Sequence, residues 1–172
     1  MFYRLLARLL DYPTAELQSA LPKIWTQLSR LSEGERKVIG NFLAHLHWED
    51  MTEWQALYVR TFDMVPDNAL HLTHHLFGDD KNRGPALIDL SEFYKEYGLE
   101  LAANDSNELP DFLPLVLEFA DQLSRLEAKV FLSQWTKVFS QLALNLEKVE
   151  SPYAPLIRLI EQRSQFVTAK AA

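Results

Sequence analysis

Glu108-Leu109-Pro110-Asp111-Phe112-Leu113-Pro114-Leu115-Val116-Leu117-Glu118-Phe119 is a rigid acidic turn driven into an apolar helix, and its reading decides the fold. Pro110 fixes its own φ and disfavours the helical region for Leu109. Asp111 offers a side-chain oxygen to the free N–H groups of the turn that follows and is expected as the N-cap. Pro114 falls in the first turn, where its missing N–H costs little. Leu113, Val116, Leu117, Ala120 and Leu123 then recur at helical spacing. Two readings of the stretch stand side by side. It is a well-capped core helix, or, because Glu108 and Glu118 set carboxylates against an apolar surface, a seat for a basic amphipathic partner.

Upstream, Ala102 to Asn107 is a polar, turn-prone linker. Before it, Arg83-Gly84-Pro85 opens a helix lined by Leu87, Leu90, Tyr94 and Tyr97 and closed by Gly98, with Gly84 expected to make the turn. Asn68 is expected to cap a short helix carrying His71, His74 and His75 and ended by Gly78. Asp50 or Thr52 caps a helix with the stripe Trp54, Leu57, Tyr58, Thr61 and Phe62, ending at Asp63. Ser32-x-x-Glu35 is a capping box for a helix running to about Trp48. Thr14 caps a segment that Pro22 kinks or divides, and residues 1–10 form a first packing helix. Downstream, Val130, Phe131, Trp135, Val138, Phe139, Leu142 and Leu146 read as one long helix, and Tyr153, Leu156, Ile157 and Ile160 as a last one. Neither two-residue alternation nor a repeat appears. The expectation is an all-α bundle of about eight to nine helices, one domain over residues 1–163 with a frayed tail over 164–172.

Composition narrows the function classes. The 172 residues are 48% hydrophobic and 24% charged, which is ordinary for a chain with a real core. A net charge of -7 and no block of Lys and Arg argue against nucleic acid and for a basic partner. No cysteine means no disulfide, thiolate zinc site, cysteine-ligated cluster or cysteine nucleophile. The amino terminus interrupts its apolar run with Arg and lacks a cleavage pattern, and no uncharged apolar stretch is long enough for a bilayer. A soluble, cytoplasmic protein without membrane insertion is expected.

His71-x-x-His74-His75, with Asp79 nearby, is the one metal-like pattern and supports an alternative reading as a helical metal-dependent hydrolase. Its helical part has no carboxylate, and a helix-borne His-Glu-x-x-His is absent. The five glycines form no phosphate-cradling loop, and there is no Gly-x-Ser-x-Gly elbow. A third reading is an acidic regulatory protein that binds a folded partner.

Tyr58-Val59-Arg60-Thr61-Phe62-Asp63, His74-His75-Leu76-Phe77-Gly78-Asp79 with Arg83-Gly84, Tyr94 to Gly98, and Glu108-Leu109-Pro110-Asp111 with Pro114 and Leu117-Glu118-Phe119 together resemble the NarJ family, within the wider TorD and DmsD group of redox-enzyme maturation proteins. The resemblance spans most of the chain and departs from the family at Phe112, where many relatives carry His. It implies a TorD-like, all-helical, cytoplasmic chaperone without catalytic turnover, metal or cofactor of its own. Such a chaperone binds the amino-terminal segment of the apo nitrate reductase catalytic subunit until the molybdenum cofactor is inserted; homodimers are compatible with it. The segment is expected to dock as an amphipathic helix against Tyr58, Phe62, Leu87 and Leu117, with its basic residues meeting Glu108, Asp111 and Glu118. Asp63, His75 and Arg83, from the matching motifs, and His71 beside them complete the expected contacts.

Overall fold

The computed structural model describes residues 1–46, 50–78, 80–99 and 108–166, and every regular element within them is helical. The α-helices are α1 (Phe2–Leu9), α2 (Ala15–Gln27), α3 (Glu33–Leu46), α4 (Met51–Tyr58), α5 (Leu72–Phe77), α6 (Arg83–Glu96), α7 (Leu113–Gln122), α8 (Arg125–Ser133), α9 (Thr136–Lys148) and α10 (Ala154–Ser164). Ten helices among the described residues exceed the expected eight to nine because the stretch read as one long helix is two. A capping box, Ser124 with Glu127, starts α8, and the chain leaves helical geometry at Trp135 before α9. Val130, assigned by periodicity to the buried stripe, is 51% exposed.

Local chemistry set most other boundaries as expected. Thr14 accepts from the Leu17 N–H, Asp50 from the Glu53 N–H, and Ser32 and Glu35 close the box at the start of α3. Pro22 is accommodated inside a continuous α2. Gly78 and Gly98 end α5 and α6 at φ 55° and 74°, in the left-handed region where a side chain is strained. Gly84 makes no turn: it lies inside the first turn of α6, and a Cβ there would meet nothing. Of the expected tail, Ser164 closes α10 fully buried, while residues 167–172 lie outside the described ones, as do Trp48 and the linker from Ala102 to Asn107.

Helix α1 lays Phe2, Leu5, Leu6 and Leu9 against α7, and α9 pairs with α10, which also touches α3 and α8. The buried side chains join in one cluster. At its centre Tyr153, fully buried, meets Phe62 at 4.8 Å, Phe42 at 5.1 Å and Tyr58 at 6.3 Å between ring centroids. Its hydroxyl accepts from Trp54 Nε1–H at 3.0 Å, satisfying an indole donor that is itself buried.

Tyr153→Phe should leave that donor unpaired and lower the unfolding free energy by about 1–3 kcal/mol. Denaturant unfolding followed by Trp fluorescence checks this; Trp54→Phe combined with Tyr153→Phe should recover part of the loss, since both polar ends are then gone.

Candidate functional site

Pro110 to Leu113 do not merely precede α7; they pair with the strand-like segment before α5. Leu72 N–H donates to the Asp111 carbonyl at 3.1 Å and Leu113 N–H to the Leu70 carbonyl at 2.8 Å, an antiparallel bridge centred on His71 and Phe112. The Asp111 side chain, fully buried, reaches across the same bridge. Its Oδ2 accepts from the Thr73 N–H at 2.9 Å and from the Thr73 hydroxyl at 2.5 Å, and its Oδ1 lies 3.3 Å from His71 Nδ1. Arg83 closes the node, donating from Nε to Thr73 Oγ1 at 3.1 Å with Nη2 3.9 Å from Asp111 Oδ2. Tyr94, buried on α6, donates its hydroxyl to the Pro110 carbonyl at 2.8 Å.

Asp111 is therefore a cap, but not of the helix it precedes. Phe112 occupies the N-cap position of α7 without a side-chain bond, whereas Asp111 satisfies the start of α5, 38 residues earlier. Asn68, expected to cap α5, sits in a separate tight turn, and His71 takes the N-cap position. Burial by itself would push the Asp111 carboxyl up, yet the hydrogen bonds from His71 and Thr73 hold it below the ordinary value. Outside the node, Glu108 Oε2 lies 3.9 Å from His71 Nε2, so the imidazole bridges a buried and an exposed carboxylate, its ring tilted against Phe112 at 5.4 Å.

A π-helical turn, Val59–Asp63, continues α4 and sets Tyr58 and Phe62 inward and Asp63 outward. Tyr58, Phe62 and Leu117, expected as the apolar wall of a groove, are 4%, 3% and 0% exposed and belong to the core. What reaches solvent around them is acidic. Burial raises the Tyr58 phenol, and the Asp11, Asp63 and Glu108 carboxylates, all within electrostatic reach of it, add to the effect. Tyr12 covers that ring from outside at 5.5 Å. Burial also holds Asp11 and Asp63 above the ordinary carboxyl value, and Glu118 too, with Asp11 contributing and Arg4 and Arg8 opposing. Exposed Tyr12, Met64 and Leu109 interleave with these acids. Leu87 is half-buried on α6.

The histidines do not converge. His71 precedes α5 and turns to Asp111, His75 Nε2–H donates to the Ala69 carbonyl at 2.7 Å, and the His74 ring stands 5.9 Å from that of His75. Among the described residues no His, Asp or Glu cluster has the grouping a metal ion needs; Asp79 lies outside them. Asp11, Tyr12 and Thr73 were not singled out by sequence: Tyr12-Pro13 only ends the first helix, and Thr73 carries no local pattern at all.

Residues 14–158 match the family model described as the nitrate reductase delta subunit. The chain is 34% identical over 159 residues to the nitrate reductase molybdenum cofactor assembly chaperone NarJ of Escherichia coli, covering 91% of this chain and 66% of that protein. It is 31% identical to the probable NarJ chaperone of Bacillus subtilis, covering 90% of this chain and 83% of that one. The nitrate reductase-like protein NarX of Mycobacterium tuberculosis is 27% identical over 88% of this chain but only 22% of its own length. The chain thus spans slightly less than two thirds of the Escherichia coli relative. No helix among the described residues is long and apolar enough to cross a membrane.

Asp111→Asn keeps the shape of the node and removes its charge, and should lower stability at pH 7 by about 2–4 kcal/mol. Because the folded carboxyl sits below its ordinary value of 3.8, its contribution is complete above that value and is lost as pH falls through the lower folded one. Denaturant unfolding at successive acid steps should show the gap between wild type and variant closing below about pH 4. A gap of constant size would mean that the charge of Asp111 is not what stabilises the node.

Proposed function

The chain belongs to the nitrate reductase delta subunit family, and from that membership we propose that it is an assembly chaperone for a nitrate reductase. It holds the amino-terminal segment of the catalytic subunit, as an amphipathic helix, while the molybdenum cofactor is inserted. Turnover has no part in this role, and the chain is not an enzyme.

The observation that carries the finer reading is the strip Glu118, Asp11, Asp63 and Glu108. None of the first three has a salt-bridge partner among the described residues, and although each reaches solvent, partial desolvation by the surface around it holds all three above the ordinary carboxyl value. A carboxylate in that condition gains most from an arriving cation. Tyr12, Met64 and Leu109, exposed between the acids, supply contact area for the apolar face of a helix. The buried aromatics Tyr58 and Phe62 form the floor beneath, and Asp111 and Arg83 fix its edge without touching the partner.

Calorimetric titration with a synthetic amino-terminal peptide of a nitrate reductase catalytic subunit tests the reading. One-to-one binding with a negative heat-capacity change is expected, weakened by salt. The triple variant Asp63→Asn, Glu108→Gln, Glu118→Gln should fold normally and bind roughly threefold to tenfold less tightly. Unaltered affinity and salt dependence in that variant would remove the acidic strip from the binding surface.

A pH dependence follows with a definite sign. Asp11, Asp63 and Glu118 titrate above their ordinary values in the free chain, and a cationic partner pulls them back down. Binding should release protons and strengthen as pH rises through the raised values, which titration in buffers of different ionisation enthalpy will read.

A further inference from the structure

A second site lies away from the acidic strip, where α5 and the tight turn Pro66–Asn68 face α9. The cleft there has a volume of about 520 Å³, within the range of small-molecule sites. Lys137, Gln141, Asn145 and Lys148 line it from α9 at spacings of four, four and three, so they form one polar ridge with a cation at each end. At about 1.5 Å per residue the two lysine Cα atoms stand roughly 16 Å apart along the helix. His74 and His75 face them from α5.

The polar wall is held in place. Asn145 Nδ2–H donates to the Asp67 main-chain carbonyl at 2.9 Å, and Gln141 Nε2–H donates to Asn145 Oδ1 at 2.8 Å. His75 is oriented by its bond to the Ala69 carbonyl. Neither lysine has a carboxylate within salt-bridge distance among the described residues, and Asp67 supplies the one carboxylate in the lining. In a chain of net charge -7 this is a local inversion of sign. Apolar contact is also present through Leu76, 53% exposed, while Val138 of the same lining belongs to the core at 3%.

We propose that this cleft binds a small organic phosphate of nucleotide size, its phosphate charge taken by Lys137, Lys148 and His74 and its ring lying against Leu76. Unpaired lysines at both ends fit a ligand that carries its negative charge on an extended chain, and the amide ridge between them offers donors and acceptors to a polar ring. The site does not rest on the chaperone reading, since none of its residues belongs to the acidic strip.

Titration of the full chain with ADP, pyrophosphate and adenosine, followed by calorimetry and by amide chemical shifts, tests the proposal. ADP should bind saturably at one site, with shifts centred on α5 and α9, and more tightly than either pyrophosphate or adenosine. Lys137→Gln with Lys148→Gln should weaken ADP binding by roughly tenfold. Both side chains are exposed, so the variant's circular dichroism should be unchanged, and its affinity for the amino-terminal peptide should match wild type. Gln141→Glu, which places a carboxylate in the ridge and keeps both lysines, should weaken ADP as well. Absence of saturable binding at millimolar ADP, equal affinity for pyrophosphate or adenosine, or indifference to both variants would overturn the assignment.

Discussion

One buried carboxylate, Asp111, constrains everything around it. An ionised group taken out of water costs several kcal/mol unless hydrogen bonds replace its hydration, and the replacements must come from whatever chain lies within reach. Here they come from the start of α5 through Thr73 and from the residue before it through His71, while Arg83, in the first turn of α6, donates to the Thr73 hydroxyl oxygen and sets its charge 3.9 Å from the carboxylate. Three segments that no local interaction would hold together are fixed by one side chain. The main chain repeats the arrangement, with the paired hydrogen bonds of Leu70, Leu72, Asp111 and Leu113 on one side and the Tyr94 hydroxyl on the Pro110 carbonyl on the other.

The same node separates structural carboxylates from those free to act. Asp111 is held below its ordinary value because its donors outweigh its burial; Asp11, Asp63 and Glu118 lie above theirs because desolvation outweighs what opposes it, the Tyr12 N–H at Asp11, His71 near Asp63, and Arg4 and Arg8 near Glu118. The direction of the shift therefore sorts chemically identical groups into a satisfied set inside and an unsatisfied set on the rim. His71 sits at the boundary, with Asp111 on one ring nitrogen and Glu108 near the other. Of the rim acids, Glu108 is the one tied to this node, through His71, while Glu118 rides on α7, which the node leads into.

Helices were legible in the sequence wherever their signals were local. Ser32-x-x-Glu35 and Thr14 start their helices as their chemistry requires; Ser124-x-x-Glu127 carries the same pattern and starts α8, but it was not singled out by sequence, and the apolar period across Trp135 masked the break that follows. Asp111 shows where local reasoning ends. A capping residue was assigned to the nearest helix, but its carboxylate found donors 38 residues away, and nothing in the spacing of Leu70 to Thr73 announces that pairing. Tyr58 and Phe62 make a related point: an aromatic stripe reads equally as groove or core until its partner is known, and Tyr153, far along the chain, places it inside. The acids of the proposed site were partly legible, since Glu108, Glu118 and Asp63 stand in motifs, whereas Asp11 joins them only because the ring of its neighbour Tyr12 packs against Tyr58.

A chaperone that holds a segment and later surrenders it needs contacts that are specific but not deep. A groove walled by Tyr58, Phe62 and Leu117 would have buried large aromatic area on the partner and favoured slow release. With those side chains committed to the core, the proposed surface offers exposed apolar side chains such as Tyr12, Met64 and Leu109, and in the proposed role orientation falls to the carboxylates near them. Charges at an exposed rim act mainly on encounter and alignment and contribute little depth to the bound state. In the proposed role, that division gives capture governed by the basic residues of the segment and release that requires no rearrangement of the fold, because the residues that stabilise the chaperone and those that meet its client are different sets joined only through His71.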